Sequence, residues 1–133
     1  MLVEDCIFCR IVNKEIPAKI VYEDENHLAF LDVNPMHEGQ TLVIPKKHYD
    51  YVFDMPDNEL AELSKVVKKV ARAIDNALNP VRTCVVIEGF LVPHVHVRLH
   101  PTKEPKLEFK PLPKPSDPEL EELRKRIASV LEE

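Results

Sequence analysis

Residues 94–100 read HVHVRLH, so His94, His96, Arg98 and His100 fall on alternate positions with Val95, Val97 and Leu99 between them. Strict alternation is the period of a β-strand, because successive side chains point to opposite faces. The stretch is therefore expected to be a strand with an apolar face on the core and a polar face carrying three imidazoles and a guanidinium, successive members about 6.6 to 6.8 Å apart. Such a face can attract a phosphate and offer a nucleophile near neutral pH. For one histidine alone, a solvated strand face would be the simpler reading.

The rest of the chain surrounds that strand with short β-rich runs and one long helix. Residues 19–24 (KIVYED) and 27–33 (HLAFLDV) read as a hairpin, 40–45 (QTLVIP) as a third strand and 82–88 (RTCVVIE) as a fourth. Between them, Leu60, Leu63, Val67, Val70, Ile74 and Leu78 recur every three or four positions, as one face of a helix over residues 57–78 requires. Asp54 or Asp57 is available to cap its start, and Pro80 follows its end. Strands on both sides of one long helix imply an antiparallel α+β domain.

Seven of the twelve prolines lie between Pro93 and Pro118, so residues 103–116 are expected to be an extended arm rather than a helix. After it, Ser116 or Asp117 can cap a terminal helix with Pro118 in its first turn and Leu120, Leu123, Ile127 and Leu131 on one face. The expected organisation is a domain over residues 1–102, the arm over 103–116, and a helix over 117–133 docked on the domain or on a partner subunit.

With 133 residues and 44% hydrophobic content the chain suffices for one domain with its own core. A formal charge of -5 argues against a nucleic-acid or anionic-membrane binder, which usually carries a basic excess. No run approaches the roughly 20 apolar residues of a membrane span, and the start MLVEDCIFCR is acidic rather than basic. A cytoplasmic protein is expected. Its three cysteines are too few for a secreted disulfide scaffold.

Cys6 and Cys9 are three positions apart, so on a helical turn both sulfurs face one direction. With His48 and His94 they would complete a tetrahedral zinc site. Two small buried cysteines on the inner face of a short helix is the other reading, and spacing does not choose between them. Cys84, without a partner at ligand spacing, is expected in the core.

Taken together, CIFCRIVNKEIPAKIVYEDENHLAFLDVNP, GQTLVIPKKH, the long helix and HVHVRLHP resemble the histidine triad (HIT) family over most of the chain. The resemblance implies a five-stranded antiparallel sheet with one long and one short helix, to which this chain adds its arm and terminal helix. It also implies a homodimer with a continuous sheet, and a site for a purine mononucleotide or nucleotide conjugate. In that site His96 attacks the α-phosphate and forms a nucleotidyl-histidine intermediate, while the carbonyl of His94 orients its ring. Asp32 falls on the carboxylate that holds the ribose hydroxyls, and Ile7, Phe8, Ile11, Phe30 and Val33 on the walls around the base, where plain core packing is the competing role. Cys6, Cys9, His48 and His94 fall on a structural zinc site, with no organic cofactor.

The chain also departs from the family pattern. Arg98 replaces the third histidine, His100 replaces an apolar residue and is expected to be solvated or dimer-facing, and Gln40 stands where relatives carry a histidine beside the nucleotide. Ile87 takes the position of an asparagine, and Gly89-Phe-Leu-Val-Pro93 is about four residues too short for the glycine-rich loop that contacts phosphate. Losing one preorganised donor typically costs about 10² to 10³ in rate. Arg98 is the one gain, since a guanidinium can clamp a phosphate through two hydrogen bonds. The expected activity is hydrolysis or transfer at the α-phosphate of a phosphoramidate or dinucleoside polyphosphate. The alternative is a nucleotide-binding or adaptor protein of the same fold without turnover.

Overall fold

The computed structural model describes residues 5–131; Met1–Glu4 and the last two positions of the expected terminal helix lie outside that range. In chain order the elements are α1 (Ile7–Val12), β1 (Ile20–Glu23), β2 (His27–Leu31), β3 (Thr41–Pro45), a single 3₁₀ turn (Val52–Asp54), α2 (Asp57–Leu78), β4 (Arg82–Val86), β5 (Val97–Thr102) and α3 (Asp117–Leu131). The five strands form one antiparallel sheet in the order β1-β2-β3-β5-β4.

Both faces of the sheet are covered, so β2 and β3 are buried at every position, and beyond His27 and Thr41 at their starts they are apolar rather than alternating. Ala29, Leu31, Val43, Val97 and Leu99 pack against Leu63, Val70 and Ile74 of α2 and Leu120 and Ile127 of α3 in the main core. On the other face Leu28, Phe30, Leu42 and Ile44 meet Phe8, Cys9 and Ile11 of α1 in a second core. Register puts Arg98 opposite Leu42 and His100 opposite Cys84, so both polar side chains share the α1 face.

The fifth strand begins at Val97, not at His94. The backbone just before it is engaged elsewhere: His94 N–H donates to Val92 O (2.8 Å) and Val95 N–H to Tyr49 O (2.7 Å), which draws residues 92–95 out of the ladder. Likewise β4 stops at Val86, and Ile87 and Glu88 lead into a turn at Gly89, whose φ of 76° suits glycine. Cys84 is half-buried on β4 beneath His100, on the face away from the main core, because the strand is an edge and only partly covered.

Helix α2 has the expected span but not the expected cap. Pro56 occupies the cap position with no side-chain cap hydrogen bond, because the 3₁₀ turn takes up Asp54 and Asp57 is already helical. Asp57 and Glu59 instead complement the positive end of the helix dipole. The helix closes on Asn79 in the left-handed conformation (φ 51°), whose N–H donates to Asp75 O. Gly39 in the β2–β3 turn has a φ of 82°, which favours glycine, and a Cβ there would also push the Leu78 side chain of α2 aside.

Residues 103–116 carry no helix or strand. Leu112 N–H donates to Pro35 O (3.0 Å), tying the arm to the β2–β3 turn. At its end Ser116 Oγ accepts from Glu119 N–H while the Glu119 carboxylate accepts from Ser116 N–H, a reciprocal cap that starts α3. Leu120, Leu123 and Ile127 are buried against the chain's own α2 and β1, and Lys19 pairs with Asp117 and Glu121. None of the described helices is long and apolar enough to cross a membrane.

Candidate functional site

Four side chains from distant parts of the chain converge at one corner of the α1 face. Cys6 caps α1, Cys9 lies one turn later, His48 follows β3 and His94 precedes β5. Their Sγ and imidazole nitrogen atoms all lie within 4.8 Å of one another. The Cys6 Sγ to His94 Nδ1 distance is 3.2 Å, and Cys9 Sγ lies 3.3 Å from His48 Nδ1 and 3.5 Å from His94 Nδ1. His94 places Nε2 2.8 Å from Pro45 O. A proton on Nε2 satisfies that carbonyl and leaves the Nδ1 lone pair aimed at the sulfurs, the arrangement a metal-ligating histidine needs. Burial lowers the His94 pKa to about 4. Two sulfurs and two imidazoles in this cluster could hold a metal ion, and the donor set suits a borderline-soft one.

His96 follows directly. It is 6% exposed, its Nδ1 lies 2.7 Å from His94 O, and Phe8 of α1 meets its ring edge-on at 5.0 Å between centroids. The carbonyl accepts the Nδ1 proton, which leaves Nε2 as the free lone pair. The residue that positions this ring is thus also in the metal cluster, one backbone unit doing both.

Farther along β5, Arg98 is half-buried and its guanidinium carbon lies 5.8 Å from the centroid of Phe109 in the arm. Its Nε is buried without a hydrogen-bond partner. His100, expected to be solvated or dimer-facing, is instead 0% exposed within the chain's own fold. Phe109 covers it at 5.7 Å, and His37 from the β2–β3 turn approaches Nδ1 to Nδ1 at 3.0 Å. Burial, then the Arg98 charge and then His37, lower the His100 pKa to about 4. The arm that folds back over β5 is the physical reason for its burial.

At the end of β2, Asp32 Oδ1 accepts from Asn34 N–H (2.8 Å) and Oδ2 accepts from Gln40 Nε2 (2.9 Å). Gln40 is 1% exposed and its Oε1 accepts from Met36 N–H (2.8 Å), so its amide is committed on both ends to the protein. It orients Asp32, and both residues border a cavity of about 600 Å³ closed on its other side by Leu112 and Leu120. Of the five expected wall residues, Phe8, Ile11 and Phe30 are buried in the second core and Phe8 meets Phe30 edge-on at 5.6 Å, while Ile7 and Val33 are 46% and 45% exposed. Only the last two have a free apolar surface.

Three residues to which the sequence assigned no site role join this face. His37 and Phe109 enclose His100, and no local period links a turn or an arm to a distant strand. Glu88, read as the end of a strand, instead turns inward with Oε1 3.9 Å from His96 Nε2, while Oε2 accepts from Phe90 N–H (3.1 Å). The signal for it was the glycine immediately after.

Comparison with known proteins agrees with this geometry. Residues 13–105 match the model of the HIT domain. A HIT-like protein of Methanocaldococcus jannaschii is 48% identical over 103 residues, covering 74% of this chain and 80% of that one. An adenosine 5'-monophosphoramidase of Saccharomyces cerevisiae is 36% identical over 102 residues, covering 76% of this chain and 65% of its own. A zinc-bound histidine triad family protein from Mycobacterium smegmatis superposes with a TM-score of 0.83 at 33% identity, covering 96% of this chain and 94% of that one. The five-stranded sheet, the residues converging on it and these matches show that the chain belongs to the HIT family.

Proposed function

We propose that the protein binds a purine mononucleotide conjugate and acts as a hydrolase or transferase at its α-phosphate, with His96 Nε2 as the nucleophile. The observation that carries this reading is the 2.7 Å contact between His96 Nδ1 and His94 O, which fixes the ring and leaves Nε2 free. Nε2 forms a bond to phosphorus as the bond to the leaving group breaks. Water, or an acceptor in a transferase, then attacks phosphorus, the nitrogen–phosphorus bond breaks and His96 is regenerated.

In this reading Asp32, held by Gln40, accepts from the ribose hydroxyls, and Ile7, Phe8, Ile11, Phe30 and Val33 form the wall for the base. Arg98 clamps the phosphate: its half-buried guanidinium has an unpartnered Nε and no acidic partner among the described residues. Cys6, Cys9, His48 and His94 hold a structural zinc, which ties α1 to the ends of β3 and β5 and fixes the carbonyl that orients His96. Three free cysteines fit a reducing compartment such as the cytoplasm. The edge strand β4 exposes Val85, and Val81 and Ile87 flank it at 58% and 42% exposure, so a second copy pairing there gives a homodimer with a continuous sheet.

Incubation with adenosine 5'-phosphoramidate should release AMP, and His96→Ala should abolish the release. Equal traces from both proteins would overturn the reading. One observation favours a second: the five-residue link Gly89–Pro93 leaves no room for a phosphate-cradling loop, as in a protein that binds nucleotide without turnover. That reading requires AMP binding by calorimetry with no product.

A further inference from the structure

Glu88 has no role in the activity just described, yet its carboxylate is the acidic group that faces His96. It lies on a short turn between β4 and β5, with 27% of its side chain exposed. Oε2 is fixed by Phe90 N–H, which keeps the carboxylate turned inward, and Gly89 allows the backbone to fold back with a positive φ. Oε1 then stands 3.9 Å from His96 Nε2. That is too long for a hydrogen bond. It leaves a point about 3 Å from each atom where a reacting phosphorus or its leaving atom can sit.

A groove of about 200 Å³ takes in both residues and continues past Tyr51, Phe53, Leu60 and Ile87. Tyr51 and Phe53 pair edge-on at 5.3 Å and are largely exposed. A group leaving phosphorus on this side finds a largely apolar, aromatic bed; Asp50 also borders it, and Glu88 is the carboxylate beside His96. The chemistry suited to that setting is an amine with an apolar substituent, since an amide of phosphorus leaves as a neutral amine only after gaining a proton.

We propose that Glu88 is the general acid and base of this site and that the groove beside it receives an apolar amine leaving group. The inference rests on the reading of His96 as nucleophile. In the first step the Glu88 carboxylic acid gives its proton to the leaving nitrogen as the phosphorus–nitrogen bond to the amine breaks and the bond to His96 Nε2 forms. In the second step the Glu88 carboxylate takes a proton from water as the oxygen–phosphorus bond forms and the bond to Nε2 breaks. Both side chains are thereby restored. A carboxyl group fills the place left by the lost loop donors, and it does so from the shortened turn itself.

The test compares Glu88→Gln with wild type on two AMP derivatives. One is the amide of a primary alkylamine, which needs a proton to leave, and the other is the 4-nitrophenyl ester, which does not. Glu88→Gln is expected to lower kcat on the amide by about 10² or more, the usual range for general acid catalysis, and to leave the first step on the ester, read as the nitrophenolate burst, within a few-fold. The ester burst also reports an intact site in the variant. An equal loss on both substrates, or no loss on the amide, overturns the role of Glu88 while His96-dependent turnover of wild type stands. No turnover by wild type on either substrate, or turnover unchanged by His96→Ala, overturns the nucleophile reading and this inference with it.

Discussion

The Nδ1 atoms of His37 and His100 lie 3.0 Å apart, so one ring donates a proton to the other across the gap between the β2–β3 turn and β5. The contact exists only while at least one ring is neutral. Burial lowers the pKa of both, with His100 at about 4, next to Arg98 and under Phe109, and Glu108 of the arm acting in the opposite sense on His37. A histidine whose folded pKa lies below its unfolded value of 6.5 adds stability at higher pH and loses it as pH falls, because the unfolded chain takes up the proton first. Stability should therefore fall between pH 6.5 and about 4, by roughly 2 to 3 kcal/mol from His100. Urea titrations of wild type and His100→Leu across that window check it. If the two proteins have equal slopes, the pair is not what responds.

Metal removal should act on the fold and not only on the site. The Cys6, Cys9, His48 and His94 cluster links three separate parts of the chain, so stripping the ion with a chelator should cost at least about 3 kcal/mol, a drop of roughly 10 °C in Tm. Cys9→Ser should reproduce most of it and bind less zinc by elemental analysis. A melting curve that does not move with chelator contradicts the site.

Gln40 is expected to tune nucleotide affinity without touching nucleotide. Gln40→Ala removes the donor that fixes Asp32 and strands Met36 N–H, so AMP should bind about tenfold more weakly in calorimetry, with a small loss of Tm. An unchanged Kd would detach Asp32 from ribose binding.

Arg98 and Phe109 should behave as a pair. Arg98→Lys keeps the charge but loses the planar fork and much of the stacking on the ring, and turnover should fall by about 10². Phe109→Ala, which leaves the guanidinium in place but uncovered, should cost less and should raise the pKa of His100 as water reaches it, visible in NMR titration of the imidazole. A larger effect from Phe109→Ala than from Arg98→Lys on turnover would be inconsistent with a clamp.

Much of this architecture was legible along the chain. The span of α2 follows from its apolar period, and the α1 face of β5 from the alternation of 94–100, even though the strand starts later. Residue types and spacing offered Cys6, Cys9, His48 and His94 as candidates without choosing between a metal site and core cysteines, and the family resemblance pointed to the cluster that the fold brings together. What sequence concealed is where the backbone hydrogen bonds go. Val95 N–H bonds to Tyr49 O instead of the ladder, Pro56 takes the cap position that Asp54 and Asp57 offered to fill, and the arm returns to bury His100. The first and third of these are long-range contacts with no local signature, and the cap is decided by the turn before the helix. Glu88 continues the strand pattern of 82–88, and only Gly89 after it marks the turn that carries its carboxylate towards His96.

The two margins of the sheet are unlike. β1 is four residues long, shifts register between Ile20 and Tyr22, packs along α3, and is ringed by charges in which Lys14 and Lys46 hold Glu23. Those are the features that discourage further pairing. β4 pairs in regular register and, beyond Arg82 at its start, shows Val85 instead. Were a second copy to pair at β4 across a two-fold axis, as proposed above, the pairing would use up the open margin of both copies and leave only the blunted β1 margins. In that proposed dimer strand pairing would find no further open margin on which to grow.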